Sequence, residues 1–149
     1  MDEELLYRAE LSGQLRLSAR GEWFHDGVAF SNPRLIELFN RSITRSGAGA
    51  WCLRIGRGEA TFTCEDTPWF VTVLEDTGSP WQVTLSDGTS EALTPTTLRL
   101  GAAGQVYCRL LRGDEARFTG GAHQRLLSHT VDEEHLLIDG QLIPLGAPR

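Results

Sequence analysis

The end of this chain echoes its beginning. Phe30-Ser31 opens an apolar stripe that runs through Leu35, Leu38, Phe39 and Ile43, and Phe118-Thr119 opens another through Ala122, Leu126, Leu127 and Val131. A turn signal precedes each stripe, His25-Asp26-Gly27 in the first case and Arg112-Gly113-Asp114 in the second. A short apolar run follows each, Trp51-Cys52-Leu53 or Leu136-Leu137-Ile138, and a second turn comes next, Gly56-Arg57-Gly58 or Asp139-Gly140. Apolar residues three and four apart write a helix face, and turn-bounded apolar runs write strands. Two copies of one β-turn-β-α-β-turn-β unit produce this pattern. It predicts an α+β fold of duplicated β-hairpin, helix, β-hairpin units on curled antiparallel sheets. Duplicated units usually pack against each other, so the seam between them is the expected ligand site.

A chain of 149 residues makes one domain or two half-size lobes sharing a core. The repeat places an N-terminal lobe at 1–75 and a C-terminal lobe at 76–149. The net charge of −6 argues against a nucleic-acid-binding surface, which needs a clustered basic face. No apolar run approaches the roughly 20 residues of a membrane span. The acidic start, Met1-Asp2-Glu3-Glu4, lacks the apolar core of a signal peptide, so a cytoplasmic protein is expected.

Along the chain, residues 1–12 read as an amphipathic helical lead, with Leu5, Leu6 and Ala9 on one face. Strands are expected at Leu15 to Leu17, at Trp23 to His25 and at Val28 to Phe30, the last two joined by the tight turn Asp26-Gly27. The first helix starts at a Ser31 or Asn32 cap with Pro33 in its first turn, and stops at Ser46-Gly47-Ala48-Gly49. Strands follow at Ala50 to Ile55, Ala60 to Glu65, Trp69 to Glu75, Trp81 to Leu85, Leu98 to Leu100 and Val106 to Leu111. Thr119 is the second helix cap, and Gln141 to Leu145 is a final strand that Pro144 assigns to an edge.

The motifs of familiar chemistry are missing. There is no GxSxG nucleophile elbow and no GxGxxG. All 14 basic residues are arginine, which excludes lysine Schiff-base chemistry and Walker-type phosphate loops. Cys52, Cys64 and Cys108 form no CxxC, and no histidine stands at finger-like spacing, so neither a metal site nor a cofactor is expected. Cys52 and Cys64 flank a hairpin. They read as reduced core thiols, with a redox pair facing across the hairpin as the other reading.

What remains is a scatter of candidate contacts. His25 stands beside Asp26 at a hairpin; His123 and His129 fall on the second helix. Glu65 and Asp66 precede Thr67-Pro68-Trp69, where Pro68 should kink the strand and make a binding edge. Trp23 and Trp69 sit beside turns and could wall a pocket. Arg34, Arg54 and Arg57 lie in the first unit opposite mostly neutral counterparts in the second, and guanidinium groups suit phosphate or carboxylate. The candidate ligand-binding set is therefore Trp23, His25, Arg34, Arg54, Glu65, Asp66 and Trp69, with no catalytic residue assigned.

Three stretches carry a family likeness. Gly21 to Phe30 (GEWFHDGVAF), Leu35 to Phe39 (LIELF) and Glu65 to Val71 (EDTPWFV) resemble the uncharacterised bacterial family DUF1285 over about residues 15–145. Thr67 stands where that family has alanine, and Trp69 where it has phenylalanine. Arg54-Ile55-Gly56 replaces its Thr-Pro pair. Ser31-Asn32 replaces an arginine after the second strand, for which Arg34 could stand in. The resemblance implies a duplicated α+β core and a C-terminal half similar to a pleckstrin-homology fold. It also implies a groove between the halves for a nucleotide-like molecule, and a role in signalling with no enzymatic activity attached. Three readings follow. The first is a non-catalytic ligand-binding or signalling domain for a small anion. The second is an enzyme using His25, Asp26 or Glu65 as general acid and base. The third is a protein-interaction module.

Overall fold

The computed structural model describes residues 14–146, so the helical lead read at 1–12 lies outside the described residues. The chain divides into two compact units between Pro68 and Trp69. The sequence placed that division at 75/76. It falls earlier because the strand that begins at Trp69 pairs only with strands of the second unit.

In the first unit, β1 (Leu15–Leu17) and β2 (Trp23–His25) pair antiparallel with Leu15 opposite His25 and Leu17 opposite Trp23. Leu15 and Leu17 face the core while Arg16 points outward with its guanidinium 4.2 Å from the Phe24 ring centroid. β3 (Val28–Ala29) returns through Asp26 and Gly27, both in the left-handed region at φ 48° and 83°. That is the primed turn whose twist matches two antiparallel strands. Helix α1 (Pro33–Asn40) follows, and Asn32 Oδ1 accepts the N–H groups of Arg34 and Leu35, the cap that the sequence indicates. Leu35, Leu38 and Phe39 are buried on its inner face, and Phe39 meets Trp23 edge-on at 5.5 Å.

The helix stops well before Ser46. Ser42 Oγ donates to Leu38 O, and Ile43 leaves the helix to enter β4 (Ile43–Arg45). β4 pairs with β5 (Trp51–Ile55), which pairs in turn with β6 (Gly58–Thr61). Ser46 to Gly49 is thus a hairpin turn, closed by Ser46 N–H to Ala50 O at 2.7 Å. β7 (Thr63–Cys64) joins β1 in parallel, giving a sheet of order β3-β2-β1-β7. Cys52 lies opposite Thr61 and Cys64 opposite Leu17, so the two thiols do not face each other across a hairpin, and both are free. The chain then bends at Glu65-Asp66 and again at Pro68, the kink expected there.

The second unit is built on a six-stranded sheet of order β10-β9-β8-β13-β12-β11. Its long strand β8 (Trp69–Glu75) pairs antiparallel with β9 (Gln82–Leu85) and parallel with β13 (Glu115–Phe118). β10 (Ser90–Ala92), β11 (Arg99–Leu100) and β12 (Val106–Arg109) complete it, with a 3-10 turn at Pro95–Thr97. Helix α2 (Gly120–Leu127) packs on β8 through Ala122 and Leu126. Thr119 precedes it, but the Thr119 side chain does not cap the helix. Its hydroxyl and its N–H both donate to Val71 O. Val131, assigned to the helix stripe, lies beyond the helix and is exposed. β14 (His135–Ile138) and β15 (Gln141–Pro144) form a two-stranded hairpin, which leaves Pro144 on the kind of edge proline needs.

The α+β class holds, with two α-helices among the described residues and with parallel pairs β1·β7 and β8·β13 inside sheets expected to be antiparallel. In the first unit the β2–β3 hairpin and α1 are followed by the three strands β4, β5 and β6, and in the second the β12–β13 hairpin and α2 are followed by the β14–β15 hairpin. Among the described residues no helix is long and apolar enough to cross a membrane.

Candidate functional site: the His25 cleft

Where the β2–β3 hairpin runs into α1, a cleft of about 190 Å³ opens, bordered by His25, Val28, Ala29, Phe30, Ser31, Asn32 and Leu35. The local sequence builds it directly. The Asp26-Gly27 turn reverses the chain within two residues, and Asn32 with Pro33 starts the helix three residues after β3 ends. The wall therefore consists of a strand end, a turn return and a helix cap. His25 closes β2, its ring 6.1 Å from that of Phe30 and a quarter of its side chain exposed. Its Nε2 is buried and accepts or donates no hydrogen bond among the described residues; Asp26 Oδ2 stands 3.8 Å away. Asp26 is engaged elsewhere, Oδ1 accepting from the Gln14 N–H at 2.8 Å. Asn32 uses Oδ1 for the helix cap.

The other sequence candidates are dispersed. Trp23 is 2% exposed and donates Nε1 to Asn40 Oδ1 at 2.8 Å, a core position. Arg34 is exposed in the first turn of α1. Arg54 pairs with Glu59 across β5 and β6 at 3.1 Å, and Arg57 is exposed in their turn. Glu65 is bound by Arg16 and by the Ala19 N–H. That N–H and the Arg16 guanidinium hold its carboxyl below the usual carboxylate range. Asp66 is exposed at the bend. Trp69 belongs to the second unit, where it is buried with the Arg112 guanidinium 4.5 Å from its ring centroid. His25 sits at the Leu15 end of β1, whereas Glu65 donates its N–H to Leu17 O near the other end and two strands across. Strand spacing separates their Cα atoms by roughly 14 Å. The structure thus brings His25, Ser31 and Asn32 together, and leaves His25 and Glu65 apart.

One polar cluster escaped the sequence reading altogether. Asp76, just after β8, meets both Arg125 and His129, the latter 53 residues away. No local spacing announces such a pair. His129 also lies past the end of α2, so its position on the second helix is corrected to the turn that follows. Among the described residues no group of three or more histidine, cysteine or acidic side chains could hold a metal ion.

The sequence matches no family model and no curated protein. The fold does match solved structures. A DUF1285 family protein from Silicibacter pomeroyi superposes with a TM-score of 0.64 over 91% of this chain and 81% of that one, at 21% identity. A DUF1285 family protein from Shewanella baltica gives 0.57 over 78% and 92%, at 19% identity. The resemblance carried by the three sequence stretches is borne out as a shared fold, and the chain is similar to these proteins along most of its length.

Proposed function

We propose that this chain is a non-catalytic ligand-binding domain whose His25 cleft takes the anionic end of a small molecule, such as the phosphate of a nucleotide. The buried His25 Nε2, which has no hydrogen-bond partner among the described residues, carries the reading. A polar atom removed from water and left unmatched costs about 1–3 kcal/mol, so a native site normally provides a partner for it. Ser31 and Asn32, with a hydroxyl and an amide that can donate, border the same cleft as His25. Arg34 and the positive end of the α1 dipole add attraction for an anion. The volume narrows the ligand. Pockets for whole drug-sized molecules run to roughly 300–1,000 Å³, so this cleft suits a phosphate or carboxylate group, with the remainder of the molecule outside. An acid–base reading finds less support, because Glu65 is tied to Arg16 and Ala19 and stands far from His25.

A thermal-shift panel of nucleoside monophosphates, inorganic phosphate and acetate tests this. A ligand at about 100 times its dissociation constant stabilises by about 2.7 kcal/mol. At least one phosphate-bearing compound is expected to raise the melting temperature, and His25→Ala with Ser31→Ala to abolish the rise. A flat panel, or a rise that the double variant keeps, contradicts the proposal.

A further inference from the structure

The second unit holds a polar cluster around Asp76. The Asp76 side chain is 9% exposed, and each of its oxygens meets one basic side chain. Oδ1 accepts from Arg125 Nε at 2.9 Å, and Oδ2 meets His129 Nε2 at 2.7 Å. Trp81 braces the imidazole from the side, with ring centroids 4.5 Å apart. Arg125 lies in the last turn of α2 and His129 in the turn that follows it; both reach Asp76 and border one groove with Gly121, Gln124 and Ser128.

The unused valences of the two side chains matter most. Arg125 reaches Asp76 through Nε alone, so its Nη groups have no partner among the described residues, and the side chain is 56% exposed. His129 gives Nε2 to Asp76, while Nδ1 has no partner among the described residues and is not among the buried unsatisfied atoms. When the ring is protonated, Nδ1 is a donor as well. Two cations then stand over one carboxylate, with a guanidinium fork and an imidazolium N–H directed away from it. We propose that Arg125 and His129, held in place by Asp76, form a binding site for a small oxyanion, a phosphate or carboxylate group, on the exposed face of α2. The fork matches two oxygens of such an anion, and the imidazolium supplies a further donor. The negative end of the α2 dipole works against binding, so the two cations must outweigh it, and a weak, readily reversible site follows. A mere latch between Asp76 and the helix would need the same Asp76 contacts but would bind nothing.

The test is a titration of the full chain with sodium phosphate, and separately with sodium acetate, at about pH 6 and constant ionic strength. The His129 ring and Arg125 side-chain N–H signals are followed by NMR. Both signals are expected to shift saturably with at least one of the two ions. Affinity should fall about tenfold or more in Arg125→Gln, and stay unchanged in His25→Ala, which takes the imidazole out of the cleft of the first unit. A response to phosphate alone, acetate alone or both supports the site and names the group that it accepts. No shift beyond that of chloride at equal strength overturns it, as does a shift that Arg125→Gln leaves intact. If Arg125→Gln loses stability, Arg125→Lys keeps the charge without the fork, and weaker binding there at unchanged stability supports the same site.

Discussion

His25 and Asp87 illustrate opposite fates of a polar side chain taken out of water. His25 keeps a buried nitrogen without a hydrogen-bond partner among the described residues, which is why the proposed site centres on it. Asp87 is fully matched: the Thr89 hydroxyl donates at 2.6 Å, the Thr89 N–H at 3.0 Å and Arg112 Nη1 at 3.2 Å. Burial alone would push the Asp87 carboxyl up, but these donors outweigh it and hold the group below the ordinary carboxylate range. Asp76 is likewise held down by His129 and then Arg125. A carboxyl whose folded pKa is depressed stabilises the fold above its unfolded value, near 3.9, and loses that contribution as pH falls through the folded value. The urea midpoint is therefore expected to hold between about pH 7 and 5 and to drop below about pH 4. Asp87→Asn, less stable at neutral pH, should show a shallower drop; an equally steep acid limb in that variant would contradict the assignment.

Among the elements, the β2–β3 hairpin was fully legible. Asp-Gly between short apolar strands demands a primed turn, and both residues adopt it. Gly27 sits at φ 83° with open space around its missing Cβ, so Gly27→Ala introduces backbone strain alone. It should cost about 1 kcal/mol in urea unfolding. Gly47, with equal space and no left-handed φ, should tolerate alanine at no cost. Equal losses at both positions would refute the turn argument. The start of α1 was legible for a similar reason, since Asn32 and Pro33 act locally. Its end was not. Ile43 continues the apolar spacing of the helix, but it is β-branched and finds Leu53 as a cross-strand partner, and that tertiary pairing decides its state. Val131 was misassigned in the same way, being apolar at helical spacing but past the last turn. β10 went unread because Ser90-Glu91-Ala92 has no strand signature. It forms by pairing with β9, where Thr84 and Ser90 hydroxyls meet at 2.9 Å.

At the scale of the whole molecule, the features missed were all non-local. The parallel pairs β1·β7 and β8·β13 join segments separated by a helix or several strands, and periodicity cannot announce them. The unit boundary at Pro68/Trp69 follows from β8 joining the second sheet, and the Asp76–His129 contact depends on how α2 lies on that sheet. The candidate site was legible only in part. His25 stood out because it sits at a tight turn next to an acid, yet Ser31 and Asn32 read as capping residues and nothing more. Trp23 carried no signal to distinguish a pocket wall from a core piece. The α+β class and the likeness to DUF1285 proteins were accessible because both rest on short contiguous stretches. The proposed function turns on a single crystallographic measurement, the structure of the chain grown with a nucleoside monophosphate. The phosphate should lie in the cleft between the β2–β3 hairpin and α1, within about 2.7–3.2 Å of a His25 ring nitrogen. A nucleotide bound elsewhere, or none at saturating concentration, would contradict the account.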